Sequence, residues 1–287
     1  MSFIEVLVGS QRDELKACTL ADAYPRWLTK WVSHLPPRWH TTEYRTVPAE
    51  IISPGVCPRC LLEDLANKRS QHLRLSWYCS ATTVCPQHFS LLVPCCHTPL
   101  SLTHEQDRLW CARCRRALDE HFRRTHQSNL EPVVAVAYFE RMLRSAIDAE
   151  FISTFGESSR QAASLLGFVE DMAWALMRPV AGTPYRILHA VQRSPFLMPF
   201  GFNTPVDVPH WLSAGCLQLR RCIFAILASL LLPETSRRPL TSAYHSQQDI
   251  WAIMKSRHSP EDEAELRDRA NSWDLTLRSA VRFRFYR

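Results

Sequence analysis

The chain has 287 residues, an apolar fraction of 46%, a charged fraction of 22% and a formal net charge of +6. This length predicts one or two domains with ample chain to bury a core, and the composition is that of an ordinary soluble globular protein. Glycine is scarce (7) and proline plentiful (19), which favours helices joined by stiff connectors over a sandwich or barrel rich in glycine turns. The mild positive charge permits contact with nucleic acid or an acidic partner and requires neither.

The first 56 residues are predicted to form an N-terminal helical segment. A helix is expected from Leu20 to His34, because Trp27, Leu28, Trp31 and Val32 share one face. Four prolines between positions 36 and 54 then hold the chain extended. The N-terminus lacks the basic and apolar regions of a signal peptide, so a cytoplasmic location is expected.

The cysteines are concentrated in one part of the chain. Eight of the 11 fall between Cys57 and Cys114, and half of these eight stand in C-x₂-C pairs. In a reducing compartment this pattern indicates metal binding and not disulfides. We therefore predict a zinc-knuckle domain over residues 57–118.

The first predicted zinc site combines the pair Cys57 and Cys60 with the pair Cys85 and His88. Each two-residue spacing brings two ligands to one metal, and the proline that follows the first Cys of each pair stiffens the turn. Three thiolates and one imidazole are a common structural zinc set. The spacing therefore predicts a closed, four-ligand structural zinc.

The second predicted zinc site is less regular. Cys111 and Cys114 form a clean pair, but the facing group is Cys95, Cys96 and His97, where a C-x₂-C would be expected. Adjacent Cys residues rarely both reach one metal with relaxed geometry. The site therefore uses either Cys95 with His97 or Cys96 with another group.

An alternating run lies between the two halves of the first site. It places Leu73, Leu75 and Trp77 on one face and Arg74 on the other, as in a strand. We expect Trp77 to pack under the first zinc knuckle.

Catalysis by either zinc is not expected. A hydrolytic or deaminase zinc keeps an open coordination position beside a glutamate base, whereas these knuckles supply four ligands each. The motifs H-x-E, H-E-x-x-H, G-x-x-x-x-G-K-[ST] and G-x-S-x-G are absent from the sequence. The chain is therefore predicted not to be an enzyme.

Residues 130–287 are predicted to form a C-terminal helical domain. Apolar periodicity indicates helices at 131–151, 159–177 and 208–232, with a proline-rich and largely looped stretch between the second and the third. The apolar run from Cys222 to Leu232 is about half a membrane span, so it is interpreted as a buried helix and no membrane partner is expected. Ser259 and Pro260 open a further helix that reaches Trp273 or beyond.

Two features of this region suggest contact with nucleic acid. Residues 159–168 are similar to the first helix and turn of a helix-turn-helix, with the turn at Gly167; the alternative is a plain amphipathic helix. Near the C-terminus, aromatic residues alternate with arginines that can grip a phosphate backbone or RNA, although a solvated edge or terminal helix is the simpler interpretation. The arginines concerned are Arg278, Arg282, Arg284 and Arg287.

The Cys/His segment resembles the zinc domain of the TniQ family. The matching motifs are C-P-x-C-L from Cys57, R-x-x-W from Arg74, C-P-x-H-x-x-x-L from Cys85, P-L after the third knuckle, and a closing C-x-x-C from Cys111. The third knuckle departs from the family pattern, because its C-x₂-C is shortened to adjacent Cys. The N-terminus is short for the family and lacks its usual opening motif.

The resemblance implies a non-catalytic target-selection protein of bacterial transposons. Such proteins recognise a target site, directly or through an RNA-guided CRISPR effector complex with its guide RNA, and recruit an AAA+ ATPase. We expect a mainly α-helical adaptor with two structural zinc ions that acts as a homodimer. Its mechanism is expected to be protein–protein docking plus modest contact with the target DNA backbone. The alternatives are a direct sequence-specific DNA-binding selector and a zinc-stabilised scaffold unrelated to transposition.

Overall fold

The computed structural model describes residues 55–69, 74–79, 81–94, 102–105, 108–111, 130–152, 158–180, 183, 186–191, 217–232 and 247–280. Within these ranges the chain is mainly α-helical, as predicted. The predicted helix from Leu20 to His34 lies outside them, and the domain boundaries drawn from the sequence stay predictions.

Eight α-helices are described, together with one 3₁₀ helix and two small sheets. The α-helices are α1 (Pro58–Ala66), α2 (Leu130–Ile152), α3 (Ser158–Met177), α4 (Ile187–Val191), α5 (Leu217–Leu231), α6 (Gln247–Arg257), α7 (Pro260–Ala270) and α8 (Leu275–Ala280), and the 3₁₀ helix is Leu75–Tyr78. Strands β1 (Gly55–Val56) and β2 (Val93–Pro94) pair antiparallel, as do β3 (Leu102–Glu105) and β4 (Arg108–Cys111).

Helix α2 agrees with the predicted helix to within one residue at each end. It buries Val136, Phe139 and Leu143, which lie three and four residues apart on one face. That face packs against α3 and α5. The apolar residues whose spacing predicted this helix therefore form the face that packs into the helical core.

Helix α3 runs without interruption from Ser158 to Met177, so the predicted helix is confirmed and the helix-turn-helix with a turn at Gly167 is wrong. A glycine inside a helix costs about 1 kcal/mol relative to alanine. The residues just beyond it, among them Phe168, Val169 and Met172, are fully buried. Their burial is worth about 1.5–3 kcal/mol for each large side chain, which outweighs the cost of continuing the helix through the glycine.

Helix α5 is the centre of the helical core. Every residue from Leu219 to Leu230 is buried, so the apolar run is a buried helix, as its length predicted. It packs against α2, α3 and α4, and its Phe224 ring lies 5.7 Å from that of Phe139. No helix in the described part of the chain is long and apolar enough to cross a membrane.

Helices α7 and α8 close one side of α3. Ser259 caps α7, accepting a hydrogen bond from the Asp262 amide at 3.1 Å, and Pro260 occupies the first turn, as predicted. The helix ends at Ala270, before Trp273, whose ring packs edge-on against Phe168 at 4.8 Å. Sequence periodicity did not predict α4 within the proline-rich stretch, nor α6.

The Cys/His segment and the helices share their cores. Cys79, Ala81, Val84 and Leu91 belong to the core of α2, α3 and α5. In the other direction, Leu217 at the start of α5 packs into a second cluster with Val56, Leu61, Trp77 and Leu92. The knuckle is therefore packed on the helices, which fixes its orientation.

Candidate metal centre

The first knuckle joins β1 to α1. Cys57 sits at the N-terminal end of the helix, and Pro58 occupies the first turn, where its fixed φ suits the helix and its missing amide costs nothing. Leu61 donates a backbone hydrogen bond to the Cys57 carbonyl at 3.3 Å. Because Cys60 lies one turn later, the two sulfur atoms face the same side.

The second knuckle is the tip of a short hairpin. Val84 bridges Leu91, and the Cys85 amide donates to the Ser90 carbonyl at 2.7 Å. The turn between them is closed by a bond of 2.9 Å from the Phe89 amide to the Cys85 carbonyl. Phe89 adopts a left-handed φ of 48°, which reverses the chain immediately after His88.

The structure brings the four predicted ligands together. The donor atoms of Cys57, Cys60, Cys85 and His88 all lie within 4.8 Å of one another. The Cys60 and Cys85 sulfurs are 3.6 Å apart, and His88 Nδ1 lies 3.3–3.7 Å from the three sulfurs. A tetrahedral zinc with Zn–S bonds of about 2.3 Å requires S···S separations of about 3.8 Å. The residues present therefore fit a structural zinc.

The thiols cannot all ionise together without a cation. A hydrogen bond with Cys85 lowers the pKa of the Cys57 thiol to about 5. Burial raises the pKa of Cys60 to about 11, and the bond to Cys57 together with burial raises the pKa of Cys85. Without a cation, burial and the mutual contacts of the three thiols therefore oppose their joint ionisation. A bound divalent cation would stabilise three thiolates, so metal binding releases protons and weakens as the pH falls.

Glu63 fixes the orientation of the imidazole ligand. His88 Nε2 lies 2.7 Å from Glu63 Oε1, while Nδ1 faces the three sulfurs. A histidine that ligates a metal commonly donates its other N–H to a carboxylate, which sets the tautomer and increases the basicity of the ligand. Gln87 donates to the second oxygen of Glu63 at 3.2 Å. The sequence analysis did not identify Glu63; its position three residues after Cys60, on a helix that starts at the first ligand, was the available signal.

Arg74 contacts both helix α1 and the 3₁₀ helix, next to the metal centre. Its guanidinium donates to both carboxylate oxygens of Asp64, at 2.6 and 2.9 Å, and stacks over Trp77 with 5.1 Å to the ring centroid. The predicted strand is wrong, because residues 75–78 form a 3₁₀ helix in which the Trp77 amide donates to the Arg74 carbonyl. The predicted place of Trp77 is confirmed: it is 1% exposed, in the same cluster as the three Cys ligands.

The family comparison agrees with these motifs. The TniQ family model matches residues 3–92, which is about a third of the chain and includes all four ligands of the first site. Residues 3–92 of this chain are therefore similar to the TniQ family. No curated protein and no solved structure gives a significant match to it. The TniQ family implies a transposition-associated role in target selection, and the match brings that implication to residues 3–92.

The TniQ match also extends further towards the N-terminus than the motifs did. It begins at residue 3, whereas no family motif was identified before Cys57. The predicted boundary at residue 56 thus falls inside the matched range. On the other side, the match ends at residue 92, before the second Cys cluster.

The second predicted zinc site lies largely outside the described residues. This holds for Cys95, Cys96, His97 and Cys114, while Cys111 is described only as a backbone position at the end of β4. The β3–β4 hairpin pairs Cys111 with Leu102. The second zinc and its ligand choice stay predictions.

The Arg-rich C-terminus is described only at its start. Arg278 lies in α8, where its guanidinium donates to the backbone carbonyls of Trp273 (3.0 Å) and Asn271 (2.5 Å). These bonds hold the turn between α7 and α8. Arg282, Arg284 and Arg287 lie outside the described residues, so nucleic-acid contact by this end stays a prediction.

Proposed function

We propose that this protein is a non-catalytic adaptor that links a target-recognition complex to the AAA+ ATPase of a transposition system. The observation that carries the proposal is the TniQ match over residues 3–92. In this role the chain acts through docking surfaces, and its zinc holds those surfaces in place. We further propose that the recognition complex is an RNA-guided CRISPR effector with its guide RNA, that the adaptor works as a homodimer, and that it works in the bacterial cytoplasm.

The ligand geometry supports a structural role for the metal. The four protein donors of the first site lie within 4.8 Å of one another, which suits a four-ligand zinc, and the three sulfurs belong to buried residues. A catalytic zinc instead needs a coordination position that is free for water or substrate. The first site therefore contributes rigidity and not reactivity.

The adaptor is favoured over a direct DNA-binding selector. The segment most similar to a helix-turn-helix is one uninterrupted helix, α3, with its second half buried in the core. Arg278, one of the four candidate phosphate contacts, donates to backbone carbonyls of its own turn. The formal charge of +6 suits modest contact with the target DNA backbone.

Affinity purification from the native host tests the partner proposal. The tagged protein should capture the AAA+ ATPase together with the effector complex and its guide RNA, identified by mass spectrometry and RNA sequencing. The matched control is a Cys57→Ser, Cys60→Ser variant, which loses half of the first site and should lose the capture. Capture of neither the ATPase nor any recognition complex by the wild type would favour the unrelated scaffold.

Duplex binding across a salt series separates the adaptor from the direct selector. The adaptor should bind DNA weakly and with little dependence on sequence, and its affinity should fall steeply between about 50 and 200 mM salt. Tight binding to one sequence, by a factor of about 10³ or more over unrelated duplexes, would support the selector instead.

A further inference from the structure

The hairpin that carries Cys85 and His88 is fastened at its base to helix α2. Glu140, on α2, accepts hydrogen bonds from the Thr83 amide at 2.8 Å, from the Thr83 hydroxyl, and from the Val84 amide at 3.1 Å. These are the two residues that immediately precede Cys85. One turn further along α2, Arg144 donates to the Thr82 hydroxyl at 3.2 Å.

The other strand of the hairpin is fastened to helix α5. Arg221 donates from Nη2 to the Leu92 carbonyl at 2.8 Å. Leu92 in turn donates its amide to the Thr83 carbonyl at 2.9 Å, so the two anchored residues face each other across the hairpin. The base is thus held by a carboxylate from one helix and a guanidinium from the next.

Because Glu140 and Arg221 are buried, losing any of these hydrogen bonds would cost free energy. Glu140 is fully buried and Arg221 is 4% exposed. A buried charged group is tolerated only when its hydrogen bonds are formed, and leaving its partner unsatisfied costs several kcal/mol. An apolar residue at position 140 would leave the Thr83 and Val84 amides without this acceptor. The hairpin therefore cannot shift on α2 without losing the whole set.

We propose that Glu140 and Arg221 are positioning residues for the metal centre, which preset its Cys85–His88 half and couple metal binding to the packing of α2 and α5. The first knuckle reaches the same hairpin through the β1–β2 pairing, in which Val56 lies opposite Val93. A bound metal joins the first knuckle to the second, whose hairpin is already held in position by α2 and α5. By reciprocity, a bound metal stabilises α2 by the same coupling free energy that α2 contributes to metal affinity.

Zinc competition with a chromophoric chelator tests the positioning role in the full-length protein. Glu140→Gln keeps the shape of the side chain, but its amide NH₂ then faces one of the backbone N–H donors of Thr83 and Val84 and cannot accept from it. We therefore expect about tenfold weaker zinc binding, as for other residues that support metal ligands. Thr83→Val is a milder variant, because it removes only the hydroxyl bond and keeps the backbone ones. It should weaken zinc binding in the same direction by a smaller factor.

Asp262→Asn is the matched control. Asp262 is a buried carboxylate that pairs with Arg178 at 2.5 Å, but it joins α7 to the end of α3, away from the hairpin. It should lower stability and leave zinc affinity within twofold of the wild type. If Asp262→Asn weakened zinc binding as much as Glu140→Gln, affinity would merely follow global stability and the proposal would be overturned.

Hydrogen exchange supplies a readout that a purely structural role of Glu140 would not change. In the wild type, added zinc should slow amide exchange in α2. In Glu140→Gln this response should be lost. In both proteins, exchange in α7 should be unaffected by zinc. Should Glu140→Gln fail to fold, Thr83→Val carries the test with a partial loss. Zinc binding that leaves α2 exchange unchanged in the wild type refutes the coupling.

Discussion

Gly55 is a position at which one added methyl group should lower the stability of the fold. A Cβ added there would lie 2.4 Å from Leu92 Cβ and 2.8 Å from Leu217 Cδ2. The leucine Cβ cannot rotate away, because it is fixed by the backbone of the anchored hairpin. Overpacking of this kind typically costs about 1–3 kcal/mol, and we take the upper end because the contact is with a Cβ. A gain of about 0.4–1 kcal/mol from the stiffer unfolded chain offsets part of it.

We therefore expect Gly55→Ala to lower the free energy of unfolding by about 2 kcal/mol, which for a chain of this size lowers Tm by roughly 3–4 °C. Chemical denaturation and calorimetry of the zinc-loaded protein measure both quantities. The matched control is Gly167→Ala, where an added Cβ meets no atom within 4 Å. Within a continuous helix this change should stabilise the protein by about 0.5–1 kcal/mol.

The two substitutions are chemically identical and should have opposite signs. A neutral or stabilising Gly55→Ala would show that the hairpin and α5 do not approach as closely as described. Destabilisation by Gly167→Ala would indicate a left-handed residue at position 167, as a helix-turn-helix requires, and would refute the uninterrupted α3.

Three further predictions concern single side chains. Glu63→Gln should weaken zinc binding about tenfold in chelator competition, because the imidazole loses its carboxylate partner, while Glu265→Gln on the exposed face of α7 should not. Ser259→Ala should lower the unfolding free energy by about 1 kcal/mol through loss of the α7 cap, and Ser256→Ala within α6 should have little effect in the same denaturation experiment. Burial raises the pKa of the Glu140 carboxyl from 4.5 to about 7, so between these pH values the folded state binds a proton that the unfolded state has released. As the pH rises from 4.5 to 7, the wild type should therefore lose up to about 3 kcal/mol of stability relative to Glu140→Gln in denaturation experiments.

Each of these has a distinct contrary result. Equal zinc affinity of Glu63→Gln and wild type would mean that the carboxylate does not orient the imidazole. Equal stability of the two serine variants would mean that the cap contributes nothing beyond an exposed hydroxyl. A stability difference between wild type and Glu140→Gln that is constant with pH would place the pKa of this carboxyl at its ordinary value.

The sequence by itself determined the features that depend on near neighbours in the chain. Two-residue spacings place Cys57 beside Cys60 and Cys85 beside His88 whatever the rest of the chain does, and a common tetrahedral set then joins the pairs. The same holds for the apolar periods of α2 and α3 and for the cap at Ser259. The Cys and His spacings, with the motifs around them, also carried the resemblance to TniQ.

Only the tertiary structure decided which distant side chains act on one another. Helix α3 continues through Gly167 because the burial of the residues beyond it outweighs a local propensity. Residues 75–78 form a 3₁₀ helix in which Trp77 is buried and Arg74 reaches Asp64, although their alternation is that of a strand. Glu140 meets Thr83 across 57 residues, and Arg221 meets Leu92 across 129. Such pairs leave no periodic signal, because their proximity depends on how the helices pack and not on spacing along the chain.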